Sequence, residues 1–222
     1  TSDACHTNFN RDRDIAGDMS ILIYGATGYT GKLIARMARV LGMSVTLAGR
    51  NGEKLRVLAA ETGFEYVAVD LDDAATLSKI VARYGVVLHV AGPFSKTAKP
   101  MVEACLAGAT HYLDITGEIP VFESHRMLDR RAREAGIMIM SGVGFDIVPS
   151  DCLSLHLKER MPNAVTLTLA MRGMGDMSHG TAKTAIEAIN RGTATRRDGT
   201  IVFSKTPARR RLQFGDREVD CV

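Results

Sequence analysis

Residues 21–51 read "ILIYGATGYTGKLIARMARVLGMSVTLAGRN". An apolar run, Ile21 to Tyr24, leads into three glycines at a spacing of three, Gly25, Gly28 and Gly31, and then into a segment with helical period. A strand, a tight turn and a helix in that order bring free backbone N–H groups and the positive end of a helix to one point, which suits a pyrophosphate. The spacing is GxxGxxG, with Ala26 and Thr27 ahead of the middle glycine and Tyr29 and Thr30 ahead of the last. An ordinary strand-to-helix turn can also carry glycine. The framing strand and amphipathic helix favour a dinucleotide, with Gly25, Ala26, Thr27, Gly28, Tyr29, Thr30 and Gly31 as its phosphate loop.

The end of the next apolar run selects the nucleotide. An NAD site offers Asp or Glu about 20 residues beyond the first glycine, for the ribose 2′-hydroxyl. Here "VTLAGRN" ends in Arg50 and Asn51, with no acid before Glu53. A carboxylate repels a 2′-phosphate, whereas a guanidinium binds it with two parallel hydrogen bonds. The expected cofactor is NADP; the alternative for Arg50 is a plain surface arginine at a strand end.

The same alternation continues outward. Strands are expected at "SILIY", "SVTLA", "EYVAV", "VVLHVA", "HYLDI" and "GIMIMSG". Helices are expected over 30–42, 53–62, 73–83, 99–108 and 120–135, the first with Leu33, Ile34, Met37, Val40 and Leu41 along one face. Apolar strands joined by helices imply a parallel sheet covered on both faces, and right-handed crossovers make it doubly wound. After "GVGFDIVPSD" the rhythm changes to an α+β pattern: a helix capped by Ser150 or Asp151 and running to about Arg160, an alternating strand "AVTLTLAMRG", a helix over 181–190, and hairpin strands in "RDGTIVF" and "RRLQFG". The expected organisation is therefore α/β, with a polar extension over 1–18, a dinucleotide-binding domain over 19–148 and an incomplete α+β domain over 149–222.

Composition narrows the class. The 222 residues are 45% hydrophobic and 24% charged with a net charge of +3, too small to argue for nucleic acid. The four cysteines have no CxxC spacing and the six histidines no paired arrangement, so no metal is expected and a reducing, cytoplasmic setting fits. No apolar run reaches the roughly 20 residues that span a bilayer.

Other strand ends face the same crevice. Asp70 and Leu71 follow the third strand, where adenine lies, although Asp70 serves equally well as a helix cap. Gly92, Pro93 and Phe94 follow the fourth, either beside the ribose and nicotinamide or as turn punctuation. The loops after strands five and six carry Asp114, Thr116, Glu118 and Asp146. Thr116 and Glu118 can orient a polar substrate group, and Asp146 can do the same or transfer a proton; Asp114 and Asp146 can equally bond backbone N–H groups in turns. No tyrosine has a lysine four residues on, so the Tyr-x-x-x-Lys proton donor is absent. Cys105 falls in a helix-period segment and Cys152 beside Asp151, neither a promising thiolate.

"YGATGYTG", "LAGRN", "VAGPFSKTAKPMVEACLAGATHYLDITGE" and "GVGFDIVPSD", in that order, resemble the saccharopine dehydrogenase-like oxidoreductases, including the trans-acting enoyl reductases, over residues 20 to about 215. The resemblance implies a Rossmann domain with NADP at Gly25–Gly31, Arg50 on the 2′-phosphate, and Ala91 to Phe94 beside the nicotinamide ribose. It also implies a substrate domain longer than this chain carries, so a fragment is expected, with apolar surface that a second subunit can cover. Two functions follow as expectations: an NADP-dependent oxidoreductase with a small or lipid-like substrate, or a non-catalytic NADP-binding regulatory or sensor module.

Overall fold

The computed structural model describes residues 20–170, 193–198, 200–204 and 209–221. It divides into two compact units, one ending at Val143 and the other beginning at Gly144. In the first, six strands form one parallel sheet: β1 (Ile21–Tyr24), β2 (Val45–Gly49), β3 (Glu65–Ala68), β4 (Val86–His89), β5 (His111–Asp114) and β6 (Ile139–Met140). Their order is β3-β2-β1-β4-β5-β6. Ile21 is in register with Val45 on one side and Val86 on the other, so β1 is central and the chain reverses its direction of winding beside it. Between the strands lie α1 (Tyr29–Val40), α2 (Gly52–Thr62), α3 (Ala74–Val81), α4 (Phe94–Gly108), α5 (Ile119–Arg126) and α6 (Asp129–Ala135).

Strand periodicity sorts the core into two faces. Leu22 and Tyr24 point to the side packed by Leu77 and Val81 of α3 and Met101, Val102 and Cys105 of α4. Ile23 points to the other, against Ala35 and Ala38 of α1 and Leu55 and Leu58 of α2. Both faces are apolar because both are covered.

Several expected elements differ, each for a tertiary reason. The face of α1 against the sheet is the small one, Gly31, Ala35 and Ala38. Leu33, Met37, Val40 and Leu41 lie on the exposed side, and of the expected apolar stripe only Ile34 packs against the core. Small residues let the helix backbone sit close to the strands, which a leucine face would hold away. Helix α4 begins at Phe94 instead of residue 99, so Pro100 lies inside it and not in its first turn; the cap that allows this comes from a residue far along the chain and is described below. The long helix expected over 120–135 is broken into α5 and α6, which lets Leu128 pack on the core while Met127 stays exposed.

The second unit holds α7 (Val148–Arg160) and two antiparallel hairpins, β7 (Thr193–Arg197) with β8 (Thr200–Ser204), and β9 (Arg210–Phe214) with β10 (Arg217–Cys221). α7 starts ahead of the expected caps, with Pro149 in its first turn where no N–H is needed and no side-chain cap at Ile147. Residues 164–170 form no strand, and Val165, Leu167 and Leu169 are exposed; the rest of that expected strand, 171–173, and the helix expected over 181–190 lie outside the described residues. Among the described residues no helix is long and apolar enough to cross a membrane.

The packing yields a stability expectation. Leu22 is fully buried at the centre of the sheet, so Leu22→Ala should lower the unfolding free energy by about 2–5 kcal/mol, transfer and cavity together. Urea unfolding followed by circular dichroism measures it, and a loss under about 1 kcal/mol would mean that this core relaxes around the void.

Candidate functional site

The glycine loop leaves β1 between the ends of β2 and β4. The Gly25 and Ala26 amides both donate to the Ala48 carbonyl, and the Gly28 amide donates to Gly25 O at 3.0 Å. Gly25 has φ +92°, and a Cβ there would sit 2.8 Å from the Ala91 backbone nitrogen. At Gly31 a Cβ would collide with the Gly25 carbonyl oxygen and lie 2.7 Å from the Ala26 Cα. Any side chain at either position would push the loop off β4 or the helix off the loop. The first turn of α1, Tyr29 to Gly31 behind the exposed Gly28, therefore presents N–H groups that have no carbonyl one turn back. Such a helix start can hold an anion.

Arg50 stands at the end of β2, exposed and without an ion pair among the described residues. The acid nearest in sequence, Glu53, is held by Arg56 at 2.7 Å. Asn51, expected among the cofactor residues, caps α2: its side-chain oxygen accepts from the Lys54 amide at 2.9 Å. Asp70 likewise closes a turn on the Asp72 amide at 3.1 Å, and Asp73, not Asp70, caps α3. Leu71 is partly buried against the core. Tyr24 donates to the Val69 carbonyl, and its phenol is pushed up to about 12, by burial first and by the charge of Asp70 second.

At the end of β4, Ala91, Gly92, Pro93 and Phe94 form a wall, with the Gly92–Pro93 peptide cis. Thr97 ties it down: its hydroxyl donates to the carbonyl of Ala91 at 2.6 Å or of Pro93 at 3.1 Å. His89 lies 3.0 Å away through Nε2. With the hydroxyl hydrogen committed to a carbonyl, His89 must donate, which puts its one proton on Nε2 and leaves Nδ1 bare. That Nδ1 is sealed from solvent and has no partner. The ring is stacked on Tyr24 at 5.5 Å and met edge-on by Phe94. Burial holds its pKa down at about 3, so His89 is neutral.

Asp114, Thr116 and Glu118, expected to line a substrate pocket, have another task. All three are buried. Oδ1 of Asp114 accepts from the Thr116 and Gly142 amides, each at 3.0 Å, while Oδ2 accepts from Tyr112 Oη at 2.9 Å and Ser141 Oγ at 3.2 Å. Thr116 Oγ1 accepts from the Glu118 amide at 3.0 Å. The Glu118 carboxylate then takes the Phe94 and Ser95 amides at 2.8 and 3.0 Å, capping α4 from 24 residues away. The carboxylates of Asp114 and Glu118 and the hydroxyl of Thr116 are thus engaged within the protein, where they shape the wall. Asp146, the expected proton-transfer group, is exposed in the turn before α7 and belongs to the second unit. Burial pushes the Cys105 thiol well up, which makes it inert.

Four polar groups that sequence reasoning passed over, His89, Thr97, His125 and Ser141, belong to this network. A histidine inside the otherwise apolar "VVLHVA" is the one signal that pointed to any of them.

The sign of the His89 effect can be worked out. Its folded pKa lies below the ordinary 6.5, so its neutral form stabilises the fold above that value, and the contribution is lost as pH falls from about 6.5 toward about 3. Chemical unfolding of the wild type and of His89→Phe across that range should show the wild-type advantage shrinking at up to about 1.4 kcal/mol per pH unit. An advantage that stays constant with pH would show that His89 is not held neutral by burial.

The family model described as "Saccharopine dehydrogenase NADP binding domain" matches residues 21–140. A trans-acting enoyl reductase of Mycobacterium ulcerans is 32% identical over 161 residues, 69% of this chain and 38% of the relative. A putative trans-acting enoyl reductase of Mycobacterium tuberculosis is 32% identical over 188 residues, 78% of this chain and 45% of its own length. The chain thus spans less than half of these relatives. Among solved structures, saccharopine dehydrogenase (L-Glu forming) from Saccharomyces cerevisiae superposes with a TM-score of 0.58 at 20% identity, covering 66% of this chain and 32% of that one, a likeness of fold. A parallel six-stranded sheet, a glycine cradle at its winding switch and a family match over the whole of that sheet make this chain a member of the saccharopine dehydrogenase NADP-binding-domain family.

Proposed function

We propose that this chain is the NADP-binding part of an NADP-dependent oxidoreductase that reduces a small or lipid-like acceptor, an activated enoyl group foremost. The observation that carries the reading is the conjunction of a glycine cradle, closed to any Cβ at Gly25 and Gly31, with Arg50 at the neighbouring strand end, exposed and without an ion pair among the described residues. The acceptor class is taken from the relatives named trans-acting enoyl reductase. When bound, the cofactor supplies a hydride. The α1 amides hold the pyrophosphate, Arg50 takes the 2′-phosphate with its planar fork, and the wall from Ala91 to Phe94 bounds the nicotinamide end. Thr97 and Glu118 keep that wall in one shape, from its carbonyl side and its amide side respectively.

A binding-only module is the second reading. It is favoured by the hydrogen bonds that Asp114, Thr116 and Glu118 make within the protein. Incubating the protein with NADPH and, in turn, a crotonyl thioester, an aldehyde and an imine separates the two. Loss of reduced-nicotinamide absorbance with the thioester supports the enzyme, and saturable NADPH binding without turnover on any class selects the module. The cofactor assignment has its own test. Arg50→Ala should weaken NADPH about 10–100-fold, the worth of a charged hydrogen-bond pair, and leave NADH nearly unchanged in a fluorescence titration. Equal weakening of both would remove the 2′-phosphate from Arg50.

A further inference from the structure

The buried Asp114 carboxylate leads to a second histidine. Ser141, the first residue beyond β6, places Oγ 3.2 Å from Asp114 Oδ2 and 2.6 Å from His125 Nδ1. His125 rides on α5, its ring edge-on to Tyr112 at 5.4 Å and its Nδ1 3.9 Å from Asp114 Oδ2. The carboxylate, ringed by four donors, can only accept, so the Ser141 hydroxyl gives its hydrogen to Asp114. Ser141 must then accept from His125, which fixes the neutral ring with its proton on Nδ1 and its lone pair on Nε2. Nε2 has no protein partner among the described residues, on a side chain that keeps 8% of its surface exposed. His89, at the end of the adjacent β4, is set the opposite way.

We propose that Nε2 of His125 exchanges the proton that accompanies hydride transfer, with Ser141 and Asp114 as the positioning residues that fix its ring and tautomer. This rests on the oxidoreductase reading above. Asp114 ends β5 and Ser141 follows β6, next to the β4 end that carries the wall from Ala91 to Phe94, and ligands of such sheets sit outside these carboxyl ends. In the reductive direction the acceptor gains a hydride, two electrons, from the reduced nicotinamide, which is oxidised, and a proton from His125. The donor is the imidazolium, which has taken a second proton on Nε2 from solvent, and that Nε2–H bond breaks as the new bond to hydrogen forms. The imidazole is left neutral with Nδ1–H still on Ser141, and solvent returns a proton to Nε2; oxidation runs the same transfers backward.

The surroundings make the ring responsive. Burial lowers its pKa, and the Asp114 charge opposes this less strongly, so His125 titrates below the ordinary 6.5. Across the sheet His89 is neutral, Tyr112 faces it as an uncharged phenol whose own pKa is pushed up by burial, and Glu123 and Arg126 on its own helix pair with each other. Among the described residues Asp114 is the charge that acts on it.

The test needs no turnover. Imidazole 15N resonances of the full chain are followed from about pH 5 to about pH 8 without cofactor, with NADPH and with NADP+. The expected result is an Nδ1–H neutral form and a midpoint below 6.5. With NADP+ the midpoint should fall by about half a pH unit or more relative to NADPH, because only the oxidised ring carries a positive charge beside Nε2. Ser141→Ala should release the ring to the Nε2–H form, and Ser141→Thr, which keeps the hydroxyl, should hold it. Identical midpoints with the two cofactor forms, or an Nε2–H ring in the wild type, would overturn the proposal while NADPH binding stands. Absence of saturable NADPH binding would overturn the oxidoreductase reading and this proposal with it.

Discussion

Everything at this site depends on the crowding at the end of β1. Because β1 is hydrogen-bonded to β2 on one side and β4 on the other, its chain must leave through the gap between two strand ends. At Gly25 that gap is too narrow for a Cβ, 2.8 Å from the Ala91 nitrogen. The same closeness brings the start of α1 down on the loop at Gly31 and the β4 wall up beside it. The glycine loop and the wall from Ala91 to Phe94 thus arise from one packing constraint. The Gly25 and Ala26 amides, both tied to the Ala48 carbonyl, keep the gap from widening.

The other end of the crevice is held by charge instead of closeness. A buried carboxylate is costly unless its oxygens are filled, and both Asp114 and Glu118 are filled by donors. Their donors come from β5, from the segments after β5 and β6, and from the start of α4. Moving any of these pieces would strand a buried acceptor, so the two carboxylates lock their relative placement. Such a network is more rigid than apolar packing of the same residues, because its geometry tolerates little slip. Glu118 anchors the first two amides of α4, so the helix begins six residues ahead of Pro100.

What could be read from the sequence follows from the range of the interactions. Residues 21–51 announced a strand, a turn and a helix because the determinants, glycine spacing and apolar period, are local. Arg50 at the end of β2 was legible for the same reason, since the competing acid was absent from its own neighbourhood. The face of α1 was misread because period alone does not say which of two stripes meets the sheet; Ala35 and Ala38 allow close approach, and Leu33 and Met37 do not. The start of α4 was misplaced because its cap is Glu118, 24 residues away; the turn bond of Asp114 to the Thr116 amide was legible as an alternative, whereas its bond to the Gly142 amide after β6 and those of Glu118 to the first amides of α4 are not local. His125 and Ser141 are separated by 16 residues and two elements, so no spacing rule joins them.

The two histidines of the wall show how the same side chain is given opposite properties by one hydroxyl each. Thr97 gives its hydrogen to a backbone carbonyl and takes one from His89 Nε2; Ser141 gives its hydrogen to Asp114 and takes one from His125 Nδ1. In the first case the lone pair is left on a nitrogen buried among Tyr24, Phe94 and Tyr112, where a proton can neither arrive nor be stabilised. In the second it is left on a nitrogen without a partner among the described residues, with a carboxylate behind the ring to steady the charged form. Burial alone would make both rings inert. The difference is the carboxylate, reached through a single hydroxyl, and it assigns His89 to holding the wall and His125 to moving a proton across it.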